Sequence, residues 1–115
     1  MHIASVIISI LLALALAGSG IQKLRRAPAI VTQMTGLGVS SRMLTVLGLL
    51  EVAAAVGLIV GIWWTPLAIA AAIGAVIYFI GAIIAHVRKS DKNVAPAAVL
   101  LVLSIATLVL LLLGV

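Results

Sequence analysis

Four long, almost wholly apolar runs, about residues 3–23, 43–62, 67–87 and 95–113, constrain this chain more than any other feature. A helix rising about 1.5 Å per residue crosses the roughly 30 Å hydrocarbon core of a bilayer in about twenty residues, the length of each run. Backbone polar groups find no water in hydrocarbon, so only helices and closed barrels span it. The runs are continuously apolar rather than alternating, which argues against a barrel. Composition agrees. The chain is 66% hydrophobic and 8% charged, whereas soluble domains carry about 25% charged residues. The expected fold is an all-α membrane protein of one domain over residues 1–115. Four transmembrane helices would form an up-down bundle, with a short interfacial helix after the first span.

The segments between the runs set orientation. The first run has no basic region before it and is long for a signal-peptide core, so it reads as a span. Ser5, Ser9, Ala13, Ala17 and Gly20 recur along it at helical spacing and form a small-residue stripe for another helix. Lys23, Arg25 and Arg26 close it. Pro28 suits a first helical turn, and Ala29 to Thr35 is the expected interfacial helix, ended by Gly36. Ser40 or Ser41 can cap the second span. Trp63, Trp64, Thr65 and Pro66 make an uncharged hairpin suited to the headgroup level. Arg88, Lys89, Asp91 and Lys92 follow the third span. Because basic loops stay inside, the segments around 24–42 and 88–94 are expected in the cytoplasm, with both termini external to the plasma or inner membrane. The net charge of +5 therefore reads as an orientation signal rather than a nucleic-acid footprint.

One carboxylate interrupts the second span. Glu51 lies about 13 Å along the helix from Arg42, near mid-membrane. A carboxylate there costs roughly 2.5–3.5 kcal/mol on insertion scales, so it should face a partner or a cavity. Gly48, Ala54 and Ala55 share its face and leave room beside it. Tyr78, about 15 Å from Arg88 on the third span, has nearly matching depth and is a candidate hydrogen-bond partner. His86, near the basic boundary, is a candidate proton relay or an interfacial side chain. Lys23 can snorkel outward or turn inward to pair with Glu51. Nominal depths leave about 13 Å between those two, which counts against a direct contact. Gly20, Gly57, Gly61, Gly74 and Gly81 are candidate helix-packing positions, with Gly57 and Gly61 in a GxxxG match.

The chain has no cysteine, so it can form neither a disulfide nor a thiolate metal site. His2 and His86 fall near opposite faces and suggest neither a metal nor a haem site. No Ser-His-Asp set or phosphate-cradling loop occurs, so the chain alone is not expected to be an enzyme.

The motifs GSGIQKL, LGLLEVAAAVGLIVG and GAIIAHVRKSDKNVAPA, in this order, carry Lys23, Glu51 and His86. In these features the chain resembles the DoxX-like family of small four-span membrane proteins. That family takes its name from a small subunit associated with a quinol oxidase, and other members are linked to thiosulfate oxidation or oxidative-stress assemblies. The resemblance implies an inward polar cluster of Glu51, Lys23 and His86, with Tyr78 at its edge. It also implies an accessory or assembly subunit of a quinone- or thiol-linked membrane redox complex. No covalently bound cofactor is expected, and quinone or lipid are the candidate ligands.

Two further readings stand beside that one. An oligomer could use Glu51 as the proton or cation site of a small transporter or channel. Alternatively, Glu51 and Tyr78 could grip the headgroup of a quinone or lipid in an apolar pocket. Heteromeric redox subunits, a homo-oligomer and the bilayer are the corresponding partners.

Overall fold

In a computed structural model, residues 2–26, 28–36, 38–89 and 94–114 are described. They form five helices and, among the described residues, no strand: α1 (Ile3–Leu24), α2 (Pro28–Gly36), α3 (Ser41–Val60), α4 (Thr65–Arg88) and α5 (Ala95–Leu113). Four of them are long and apolar enough to cross a membrane. Asp91 and Lys92, expected in the second basic loop, lie outside the described residues.

Local chemistry sets the helix ends. The Ser40 hydroxyl accepts from the Met43 amide at 3.1 Å and caps α3. Pro66 and Pro96 occupy the first turns of α4 and α5, where no intrahelical amide is required. Gly114 ends α5 in the left-handed conformation that glycine adopts without penalty. Arg26 turns the chain after α1 with φ of 54°, an unusual value for a side-chain-bearing residue. Its guanidinium anchors that turn, donating to the Ser41 carbonyl at 3.0 Å and to the Thr45 hydroxyl at 2.7 Å.

The long helices close in a ring, with α1 against α3, α3 against α4, α4 against α5 and α5 back against α1. Each contributes a buried seam whose residues recur at intervals of about one or two helical turns, the pattern that keeps one helical stripe facing its neighbours. On α3 the buried seam is Leu44, Gly48, Glu51, Ala55 and Leu58, and on α4 it is Ala68, Ala72, Ala75, Phe79 and His86. The small-residue stripe of α1 faces inward, with Ser5, Ser9, Ala13 and Gly20 buried.

The distribution of polarity is that of a membrane protein. Large apolar side chains such as Ile7, Leu14, Leu50, Ile77 and Val102 cover the outside, while Lys23, Glu51, His86, Ser104 and Thr107 are buried. The molecule is 41 Å along its longest axis, which matches a bilayer of about 40–45 Å with its headgroups. The chain is thus a small integral membrane protein with four spans.

Helix α2 stands as a separate element after the Arg26 turn and packs against α1. Trp63 and Trp64 lie exposed at the α3–α4 hairpin, at the opposite end of the bundle from α2.

Candidate functional site

Helix α1 meets α3 at two glycines. A Cβ on Gly20 would stand 2.8 Å from the Gly48 carbonyl oxygen, and one on Gly48 would stand 3.0 Å from the Gly20 carbonyl oxygen. The backbones touch there because neither residue has a side chain. This contact sets the register of the two antiparallel helices. It places Arg26, rather than Lys23, level with the start of α3, where its guanidinium is bonded.

Lys23 therefore lies about one turn deeper than a count from the span ends places it. Lys23 and Glu51 each stand three residues beyond the glycine contact, in opposite directions, so about 9 Å separates them along the axes. Helical side chains lean toward the N-terminus of their own helix. In an antiparallel pair these two lean toward each other. The result is an ion pair of 2.6 Å between Lys23 Nζ and Glu51 Oε1. The expectation that depth counts against a direct contact is corrected by this register.

Oε1 also accepts from the Tyr78 hydroxyl, at 3.1 Å. Lys23 Nζ donates further to Ser19 Oγ at 2.9 Å. Side chains from α1 and α4 thus converge on one carboxylate oxygen of α3. The other, Oε2, is buried without a hydrogen-bond partner. Glu51 is 1% exposed and Lys23 8%, so water screens this pair little.

His86 is also buried, with Nδ1 2.8 Å from the Ala82 carbonyl. A carbonyl cannot donate, so Nδ1 carries the proton of that bond. His86 shares with Lys23 and Tyr78 the wall of a cavity of about 750 Å³. The cavity lies between the ends of α1, α4 and α5 nearest the basic loops. Leu14, Ala82 and Leu100 supply apolar wall, and Ile30 and Met34 of α2 border it. Two glycines keep it open, because a Cβ on Gly18 or Gly81 would meet nothing within 4 Å.

The five packing candidates divide in the structure. Gly20 lies in the α1–α3 contact. Gly57 and Gly61 face α4, where added Cβ atoms would stand 3.1 Å and 2.5 Å from the Cβ atoms of Ala71 and Ala68. Gly74 and Gly81 touch no neighbour with an added Cβ and instead border cavities. Sequence reading missed Ser19, although a hydroxyl one helical turn before a buried lysine is a recognisable i,i+4 pair. It also missed Gly18 as a cavity residue.

The cavity suits an amphiphile. A lysine ammonium has three donors, and two point to Ser19 and Glu51, leaving one for a ligand acceptor. Among the described residues, no group of three histidine or acidic side chains could hold a metal ion.

The model of the DoxX-like family matches residues 7–109, a stretch that contains α2, α3, α4 and every residue of the Lys23, Glu51, Tyr78 and His86 set. No curated protein and no solved structure matches the chain.

Proposed function

Given that the chain belongs to the DoxX-like family, we propose that it is a ligand-holding accessory subunit of a membrane redox complex, quinone- or thiol-linked. Its ligand is an amphiphile of quinone or lipid type with a hydrogen-bond-accepting head. The observation that carries this reading is the cavity of about 750 Å³, apolar over most of its wall and bordered by Lys23, Tyr78 and His86. Its size falls within the roughly 300–1,000 Å³ usual for small-molecule sites. The head would take the remaining Lys23 donor, and the tail would lie against Leu14, Leu100 and the α4 glycine gap. Glu51 holds the lysine in place and balances its charge, so a neutral acceptor head is not forced to bring a counter-charge. In the bilayer both basic loops face the cytoplasm, so this cavity is nearer the cytoplasmic side and both termini are external.

Native mass spectrometry of the chain released in mild detergent tests the reading. The expected result is a retained quinone or lipid together with a heteromeric partner, and loss of the ligand in Gly81→Leu, whose new side chain fills the cavity. A ligand-free chain without a partner overturns the proposal. So does a homo-oligomer that conducts ions in liposomes and retains no amphiphile, which is the result a transporter predicts.

A further inference from the structure

The cavity of about 750 Å³ has boundaries of two kinds. Toward the apolar outer surface it is bordered by Leu14 and Ile77, each 65% exposed. Toward the basic loops it is bordered by Ile30 and Met34 of α2 and by Val39 of the turn that follows. We propose that α2 is a hinged lid over that end, which admits the aqueous phase to the cavity or shuts it out. As closure of a cavity the lid stands on geometry alone; as regulation of a bound amphiphile it rests on the function proposed above.

Helix α2 is built as one movable piece. Ile30 and Met34 are one turn apart, so they share the face that meets the cavity. None of its described residues is buried, and its main helix neighbour is α1. The helix ends in a Schellman motif. The Gly38 amide donates to the Thr35 carbonyl at 3.0 Å, and the Val39 amide donates to the Met34 carbonyl at 2.9 Å. These bonds tie Val39 to Met34, so the three apolar residues over the cavity belong to a single unit.

The two ends of this unit are held differently. The backbone is left-handed at Arg26, with φ of 54°, and at Gly38, with φ of 80°. A few such element-terminal residues are enough to absorb the rotation of a hinge. The first pivot is fixed on α3 by the Arg26 bonds to the Ser41 carbonyl and the Thr45 hydroxyl. At the second, a Cβ on Gly38 would stand 3.8 Å from Lys89 Cε and 4.0 Å from Nζ. An ammonium beside a helix C-terminus is attracted to it, but Lys89 is exposed and water screens the attraction. The lid thus has a firm pivot at one end and a breakable latch at the other.

The test needs no ligand. The full chain, which has no natural cysteine, carries Ala82→Cys on the cavity wall and is labelled in nanodiscs with a membrane-impermeant maleimide. Ile30→Ala with Met34→Ala, which thins the lid, should speed labelling about ten-fold through lost apolar contact. Val31→Ala, at a position 36% exposed on the same helix, should leave the rate unchanged. Gly38→Asp sets a carboxylate beside Lys89 on a left-handed backbone that aspartate and asparagine tolerate. It should slow labelling about two- to five-fold relative to Gly38→Asn, the range of an exposed ion pair, and the difference should vanish with Lys89→Met. This pair of variants removes nothing from the lid, so a hole left by missing atoms cannot mimic its effect. Labelling as fast in Ala82→Cys alone as with the two alanines added overturns the lid, as do equal rates for Gly38→Asp and Gly38→Asn. A latch that responds as expected in a chain retaining no amphiphile upholds the lid and strikes only the ligand reading.

Discussion

Lys23 and Glu51 form the one ion pair among the described residues, and it sits where water cannot replace either partner. Removing one member of a buried pair leaves an uncompensated charge, which costs roughly 3–5 kcal/mol. Glu51→Gln and Lys23→Met should each lower stability by about that amount in detergent unfolding, and the double variant should lose clearly less than the sum. If the single variants unfold with the parent, the pair contributes nothing to the bundle. Tyr78 has a smaller share. Tyr78→Phe removes a hydrogen bond to a charged acceptor and should cost about 1.5–3 kcal/mol in the same assay. Its T-shaped contact with Phe79, with ring centroids 5.0 Å apart, should survive because the ring is unchanged.

Helices α1 and α3 depend on the glycine contact that brings their backbones together. Gly20→Val places atoms where the Gly48 carbonyl and Val52 already stand, since even a Cβ would be 2.8 Å from the carbonyl oxygen and 2.9 Å from Val52 Cγ2. Overpacking of this kind costs about 1–3 kcal/mol. It should also part Lys23 from Glu51, so Gly20→Val should be as unstable as Glu51→Gln, and adding Glu51→Gln to it should cost little more. Gly18 lies two residues away, where a Cβ meets open space. Gly18→Ala should keep or raise stability by about 0.5–1 kcal/mol, because it lowers the backbone entropy lost in a helix. Thermal unfolding of both variants in one detergent gives the comparison, and equal behaviour of the two would show that the α1–α3 approach is not set by glycine.

At the scale of the whole molecule, apolar surface faces outward and the charged residues of the seams face inward, so the bilayer completes the fold. The direction proposed from the basic loops can be tested by labelling. A cysteine at position 40 should resist an impermeant thiol reagent applied to intact cells, while one at position 65 should label, and the natural chain contributes no background because it has no cysteine. The reverse labelling would invert the topology.

The four spans, the separate short helix and the inward stripe of α1 were legible in the sequence. They follow from run length, from Pro28 and Gly36, and from helical periodicity, all of which are local properties. The need for Glu51 to find a partner was legible as well, because the cost of a carboxylate in hydrocarbon does not depend on the fold. One partner was legible too, since Tyr78 has nearly the depth of Glu51 and bonds its Oε1; the direct ion pair with Lys23 was not. Counting residues from the span ends places Lys23 too far away, and only the contact of Gly20 with Gly48 reveals the true register. The cavities were illegible for the same reason. Gly61 and Gly74 are the same residue type on apolar helices, yet one is pressed against Ala68 and the other faces open space. Composition and periodicity determine that these helices form and which stripe they bury. The axial offset between them depends on backbone contacts made between residues far apart in the chain, and that offset decides where lysine, carboxylate and empty space meet.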